Sequence, residues 1–154
     1  MNRERGFSLV ELMVVISILS VLFRMSVPAA ESYRRHAVAA QAISDFQVVR
    51  SAAYAQLDAT GAFAPDAAPG VVPAGAAQFL PRDFSFVRLQ YQLDWDHVAL
   101  VDSSGGSGYV TMLSVVTADS LLGHELISRL GAGTPHWSVG DAHTFVVASD
   151  TDSH

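Results

Sequence analysis

Gly6-Phe7-Ser8-Leu9-Val10-Glu11-Leu12-Met13-Val14-Val15-Ile16 decides the reading of this chain. It joins a short charged leader, 1–5, to an apolar run that continues to Phe23, and one acid, Glu11, lies inside that run. A carboxylate in a bilayer-length apolar segment costs about 2.5 kcal/mol or more on insertion scales, so its presence points to a function that needs it. Arg3 and Arg5 precede the run, and by the positive-inside rule that end is expected in the cytoplasm, with the remainder beyond the membrane. The run is not followed by the small-residue cleavage site of an ordinary secretory signal.

The apolar segment 7–23 is short for a span: as a helix it covers about 25 Å, against about 30 Å of hydrocarbon. Arg24 then interrupts it. Its long side chain can snorkel to the outer headgroups, and 25–30 can add length. Pro28 removes a backbone donor and crowds the preceding turn, so a kink or local melting is expected there.

The motif resembles the start of type IV pilins and type II secretion pseudopilins, on residues 6–16 together with Pro28. The resemblance covers about the first 30 residues. It implies cleavage between Gly6 and Phe7 by a prepilin peptidase and methylation of the new amino terminus on Phe7. It further implies that Glu11 pairs with a terminal amine during subunit assembly, and that Pro28 marks the helix kink. Arg24 departs from the family, whose helix is usually apolar at this point; in a filament it would need a carboxylate or a wet groove.

Composition agrees with one domain plus an anchor: 154 residues, half of them hydrophobic. The chain has no cysteine, which excludes a disulfide framework and thiolate metal sites. The formal net charge is −6, and loss of the leader 1–6, which carries a net +1, would leave −7. All nine basic residues are Arg, and only Arg34-Arg35-His36 form a cluster, so nucleic-acid binding is not expected.

Beyond Pro28, Ala39, Ile43, Phe46, Val49, Ala53 and Leu57 recur on one helical face, with Arg34, Gln41, Ser44, Gln47 and Ser51 opposite. The divisions expected are a leader at 1–6, a transmembrane and assembly helix at 7–28, and its amphipathic half at 29–59. A variable linker at 60–83, rich in Ala, Gly and Pro, leads to an antiparallel sheet region at 84–150 and a tail at 151–154. Alternation predicts strands over 84–93, 97–101 and 109–116, with a turn or break at Asp94-Trp95-Asp96 and a hairpin loop at 102–108. Residues 117–130 read as a short helix capped by Thr117 or Asp119 and stopped by Gly131; 131–140 reads as loop and 142–148 as the last strand. The fold class expected is therefore α+β and pilin-like. A long N-terminal helix, its first half transmembrane, packs on a small antiparallel sheet, with a short extra helix before the last strand.

No catalytic, cofactor-binding or metal site is expected. Gly105, Gly106 and Gly108 lack the Lys-Ser/Thr of a phosphate loop. Asp94, Asp96, Asp102, Asp150 and Asp152 could ligate calcium, which some pseudopilins hold in a C-terminal loop, but no contiguous loop carries the spacing. His97, His124, His136, His143 and His154 form no metal spacing, and no nucleophile–base signature appears. The reading is of a structural subunit of a type II secretion pseudopilus or type IV pilus-like filament. It is anchored in the cytoplasmic (inner) membrane by a single pass, with the globular part on the periplasmic or extracytoplasmic side before it enters the filament. Its partners would be a prepilin peptidase, other pilin or pseudopilin subunits, membrane lipid and an inner-membrane assembly platform. A minor, tip-located or orphan membrane-anchored binding module, for a ligand, DNA or an envelope partner, is the alternative.

Overall fold

A computed structural model describes residues 8–101 and 107–151. The chain divides into two units, the first ending at Arg35 and the second beginning at His36. The elements are α1 (Leu9–Thr60), a 3-10 turn (Ala77–Phe79), β1 (Gln92–Val101), β2 (Ser107–Val116), α2 (Ser120–Leu130), β3 (His136–Val139) and β4 (Ala142–Thr151). This is the α+β plan expected: a long N-terminal helix, a small antiparallel sheet, and a short helix ahead of the last strands. Helix α1 is continuous through Pro28. The first unit is α1 alone, with apolar side chains exposed on every side from Leu9 to Val27.

In the second unit α1 buries a narrow stripe: Ala39, Ala42, Asp45, Phe46, Val49, Ala52, Ala53 and Gln56. Four of these are Ala, which lets the helix approach the sheet closely and costs nothing in helix propensity. Phe46 fills the centre and meets Phe145 of β4 edge-on at 5.7 Å. Leu93 and Trp95 of β1, Leu113 and Val115 of β2, and Leu122 and Leu126 of α2 complete the same cluster. Helix α2 starts where Asp119 Oδ1 accepts from Leu121 and Leu122 N–H, and stops at Gly131, so of the two candidate caps it is Asp119 that acts.

The sheet order is β1-β2-β4-β3, all antiparallel. Three details differ from the sequence expectation. Asp94-Trp95-Asp96 does not break the first strand: Trp95 is buried and both acids turn to the other face, which is ordinary strand alternation. Residues 84–91 are not strand. Arg88 N–H donates to Tyr91 O at 2.9 Å and Leu93 N–H to Phe86 O at 2.8 Å, folding this segment into a tight reverse turn with Leu89 at its exposed tip. And 136–139, expected as part of a loop, is the edge strand β3; all four residues are exposed, so its His-Trp-Ser-Val alternation marks no buried face.

The linker is more than a surface connection. Ala67 and Gly70 N–H donate to Trp95 O and Leu93 O, and His97 N–H to Asp66 Oδ1, so 66–70 covers the outer edge of β1. Gly70 takes φ 78°, and a Cβ there would press on Val87. Ala64, Pro73 and Ala76 drop into the core.

The β2–β4 register shifts between Thr111 and Met112, leaving Val147 without a partner opposite it. The carbonyl of Val147 accepts from the Tyr54 hydroxyl at 3.0 Å, which ties the last turns of α1 to the bulge. Gly123 of α2 lies against the His143 ring, where any Cβ would overlap the imidazole. Tyr54→Phe is expected to lower stability by about 1 kcal/mol, and Gly123→Ala by about 1–3 kcal/mol. Urea unfolding of the detergent-solubilised chain, followed by tryptophan fluorescence, checks both.

Candidate functional site

Gly6 and Phe7 lie outside the described residues, as do 102–106 and 152–154. The site that can be built begins at Ser8. Its hydroxyl accepts from Glu11 N–H at 3.2 Å, and its carbonyl accepts from Leu12 N–H at 3.2 Å. Ser8 is thus the N-cap of α1, and Glu11 sits three residues on, in the Ser-x-x-Glu spacing of a capping box. The Glu11 carboxylate occupies the first turn, where the helix dipole favours an anion by about 0.3–1 kcal/mol. That is smaller than the cost of about 2.5 kcal/mol or more for the same acid among hydrocarbon.

From Leu12 to Phe23 the first unit carries no charged side chain. Its most apolar 18-residue window has a mean hydropathy of 2.1 and none of it is buried. Ser17, Ser20 and Ser26 return their hydroxyls to Met13 O, Ile16 O and Leu22 O at 2.8, 2.6 and 2.8 Å. Pro28 has no N–H, so the carbonyl four residues earlier, that of Arg24, loses its helical donor. Arg24 therefore brings a freed acceptor and an exposed cation to one level of an otherwise apolar helix.

Among the described residues of the second unit, charged side chains gather in three places. Asp45, buried under the sheet, accepts from Arg88 Nε at 2.8 Å, Arg88 Nη2 at 3.1 Å and the Tyr91 hydroxyl at 2.7 Å. The hydrogen bond to Asp45 raises the Arg88 pKa, and burial, then Asp45, raises that of Tyr91, so neither titrates near neutrality. An acid on the stripe between Ala42 and Val49 was the signal for this clamp, and sequence reasoning passed over it. On the surface, Glu125 Oε1 takes Arg129 Nη2, at 2.6 Å, and His36 Nδ1, at 3.1 Å. Desolvation alone would raise the Glu125 pKa, but hydrogen bonds from Arg129 and His36 hold it below the usual value. Asp66, Asp94 and Asp96 gather at the covered edge of β1. Burial, then Asp96 and Asp66, pushes Asp94 up to about 6. Among the described residues no group of three His, Asp or Glu is placed to hold a metal.

Beyond the end of α1 the sheet's inner face opens into a groove of about 690 Å³ lined by Tyr54, Phe63, His97, Tyr109 and Thr111, among others. His97 stacks on Tyr109 at 5.2 Å and its Nδ1 lies 2.8 Å from Thr111 Oγ1. These aromatics come from four separate segments, and no sequence spacing brings them together.

With this geometry in hand, comparison with known proteins bears on the first unit. Residues 1–23 match the prokaryotic N-terminal methylation motif, so the chain carries a prepilin-type amino terminus continuous with an exposed apolar helix. It is similar to prepilin peptidase-dependent protein D of Escherichia coli (strain K12), 40% identical over 52 residues. That likeness spans 34% of this chain and 36% of the relative. No solved structure matches.

The raised Asp94 pKa fixes the sign of a pH effect. The folded carboxyl binds its proton more tightly than the unfolded one, so its contribution to stability is present below the ordinary value of 3.8 and is lost as pH rises through about 6. The Tm of Asp94→Asn relative to the unmutated chain is therefore expected to climb between about pH 4 and about pH 7. Thermal melts across that range test it.

Proposed function

We propose that this chain is a structural subunit of a pilus-like filament, of the type II secretion pseudopilus or type IV pilus kind. A prepilin peptidase cuts between Gly6 and Phe7, and the amino group of Phe7 is methylated. Helix α1 then holds the subunit in the cytoplasmic membrane, with the second unit on the extracytoplasmic side, until an assembly platform draws it into the filament. The observation that carries this reading is the methylation motif at 1–23, which overlaps a helix whose apolar side chains from Leu9 to Val27 are exposed.

In this mechanism Glu11 does the selecting. An incoming subunit offers a positive amine at Phe7, and a neighbour's Glu11, costly among apolar side chains, gains by meeting it. A buried pair of this kind adds little net stability but is intolerant of a missing partner, so it fixes axial register. The role is assembly rather than catalysis.

The aromatic groove favours a second reading, a low-copy pilin-like binding module that presents that groove to a ligand or envelope partner. Abundance separates the two: a main subunit is found along the whole filament, a tip protein at a few copies.

Two measurements test the proposal. The mass of the N-terminal peptide from membranes with active prepilin peptidase is expected to correspond to a start at Phe7 bearing a methyl group, and without the peptidase to a start at Met1. Glu11→Ala is expected to insert into the membrane normally and to be missing from sheared filaments; its incorporation at the level of the unmutated chain would sink the assigned role of Glu11.

A further inference from the structure

We propose that a single outer-leaflet phospholipid seats on the bare half of α1, with its phosphate on Arg24 and one acyl chain along Ile16, Leu19 and Phe23. The inference rests on the membrane-anchor reading above and adds to it a lipid site on that anchor.

A shallow groove of about 680 Å³ runs along α1, lined by Ile16, Leu19, Phe23 and Arg24 among others. Ile16, Leu19 and Phe23 recur at spacings of three and four residues, which places them within about 60° of one another on a helix. Each is more than half exposed. Ser20 and Ser26 also line the groove, but their hydroxyls donate to Ile16 O and Leu22 O at 2.6 and 2.8 Å. Arg24 is thus the charged donor of the groove, and it stands toward the C-terminal end. Among the described residues of the first unit the acids are Glu11 and Glu31. They lie about 19.5 Å before Arg24 and about 10.5 Å after it along the helix, and Glu31 has Arg34 and Arg35 three and four residues further on.

An apolar stripe with a cation at one end is the complement of an amphiphile with an anionic head. The direction agrees. With the start of α1 on the cytoplasmic side, Arg24 stands about 22 Å up the helix from Leu9. It is short of the far surface of a core about 30 Å thick by roughly what an arginine side chain spans. Ile16 lies about 12 Å below Arg24, within the roughly 15 Å that one leaflet's hydrocarbon occupies. A lipid of the outer leaflet, head up and chain down, therefore matches the groove in polarity, length and direction. An inner-leaflet lipid would bring its head to the wrong end, and free phosphate would leave the stripe bare. A guanidinium also presents paired N–H donors to phosphate oxygens, a charge-assisted contact. On the opposite face Val14, Val21 and Met25 are as exposed but line no part of this groove.

The test places the full chain in nanodiscs of phosphatidylcholine and phosphatidylglycerol, the latter carrying a diazirine midway along one acyl chain. After photolysis, adducts on Ile16, Leu19 and Phe23 are expected to outnumber those on Val14, Val21 and Met25 at least about fivefold. That bias is expected to vanish in Arg24→Leu and to survive in Arg24→Lys and in Arg34→Leu. Without photolysis, native mass spectrometry is expected to find one phospholipid retained on the unmutated chain, and excess inorganic phosphate to leave it in place. Adducts spread evenly round the helix mark ordinary annular lipid and overturn the site. So does a bias lost equally in Arg34→Leu, which assigns the head to the basic residues further along, or displacement by inorganic phosphate, which leaves Arg24 an anion site without a lipid. If the chain is recovered outside the bilayer, the membrane-anchor reading itself falls, so the two failures are distinguishable.

Discussion

The structure depends on one helix meeting two different surroundings. From Leu9 to Val27 the apolar side chains of α1 point in every direction and are exposed. From Ala39 onward the same helix buries a single stripe and leaves polar residues opposite. Apolar area of that extent, exposed all round, is not a surface that water tolerates. It needs lipid, other helices, or both in turn. A sheet-packed half gives the helix a fixed address on a folded unit, and the bare half gives that unit something to be held by.

The two halves treat charge differently, and the difference follows from what surrounds it. Asp45 is buried, and three hydrogen bonds from Arg88 and Tyr91 satisfy it within the chain. Those bonds do local work: they pull 84–91 out of the sheet and fold it onto α1. Glu11 has its capping position and the helix dipole, which together offset only part of what an apolar setting would cost. Paired charge inside the globular unit specifies the fold.

Much of this was legible in the sequence, for reasons that particular residues make plain. The helix-on-sheet plan followed from the 39–57 stripe, the alternation of 109–116 and the Asp119 to Gly131 signals, because each is a local pattern that tertiary contact reinforces. What escaped was set by contacts distant in sequence. Residues 84–91 alternate like a strand, yet Asp45, some forty residues earlier, captures Arg88 and Tyr91 and the segment turns back on itself. Strand β3 is only His136-Trp137-Ser138-Val139, a run of four too short to be told from loop by its alternation, and all of it is exposed. Asp94 and Asp96 read as a break, although the buried Trp95 between them already pointed to a strand with one wet face.

The candidate site divides along the same line. Glu11 was singled out because a carboxylate is costly in an apolar run, and that is visible without a structure. The aromatic groove could not be read, since Tyr54, Phe63, His97 and Tyr109 are ordinary residues for a helix end, a linker and two strands. Their meeting depends on where α1 stops. Gly61 takes φ 76°, the chain leaves the helix, and Phe63 folds back beside Tyr54 at 6.0 Å, edge-on, and His97 at 6.3 Å. The last turns of α1, through Tyr54 and Leu57, line the groove together with His97 and Tyr109 of the sheet. The bulge at Val147 holds the last helical turns to the sheet through Tyr54, so the opening is anchored at its rim. The end of α1 is therefore part of the wall of the open face rather than its limit.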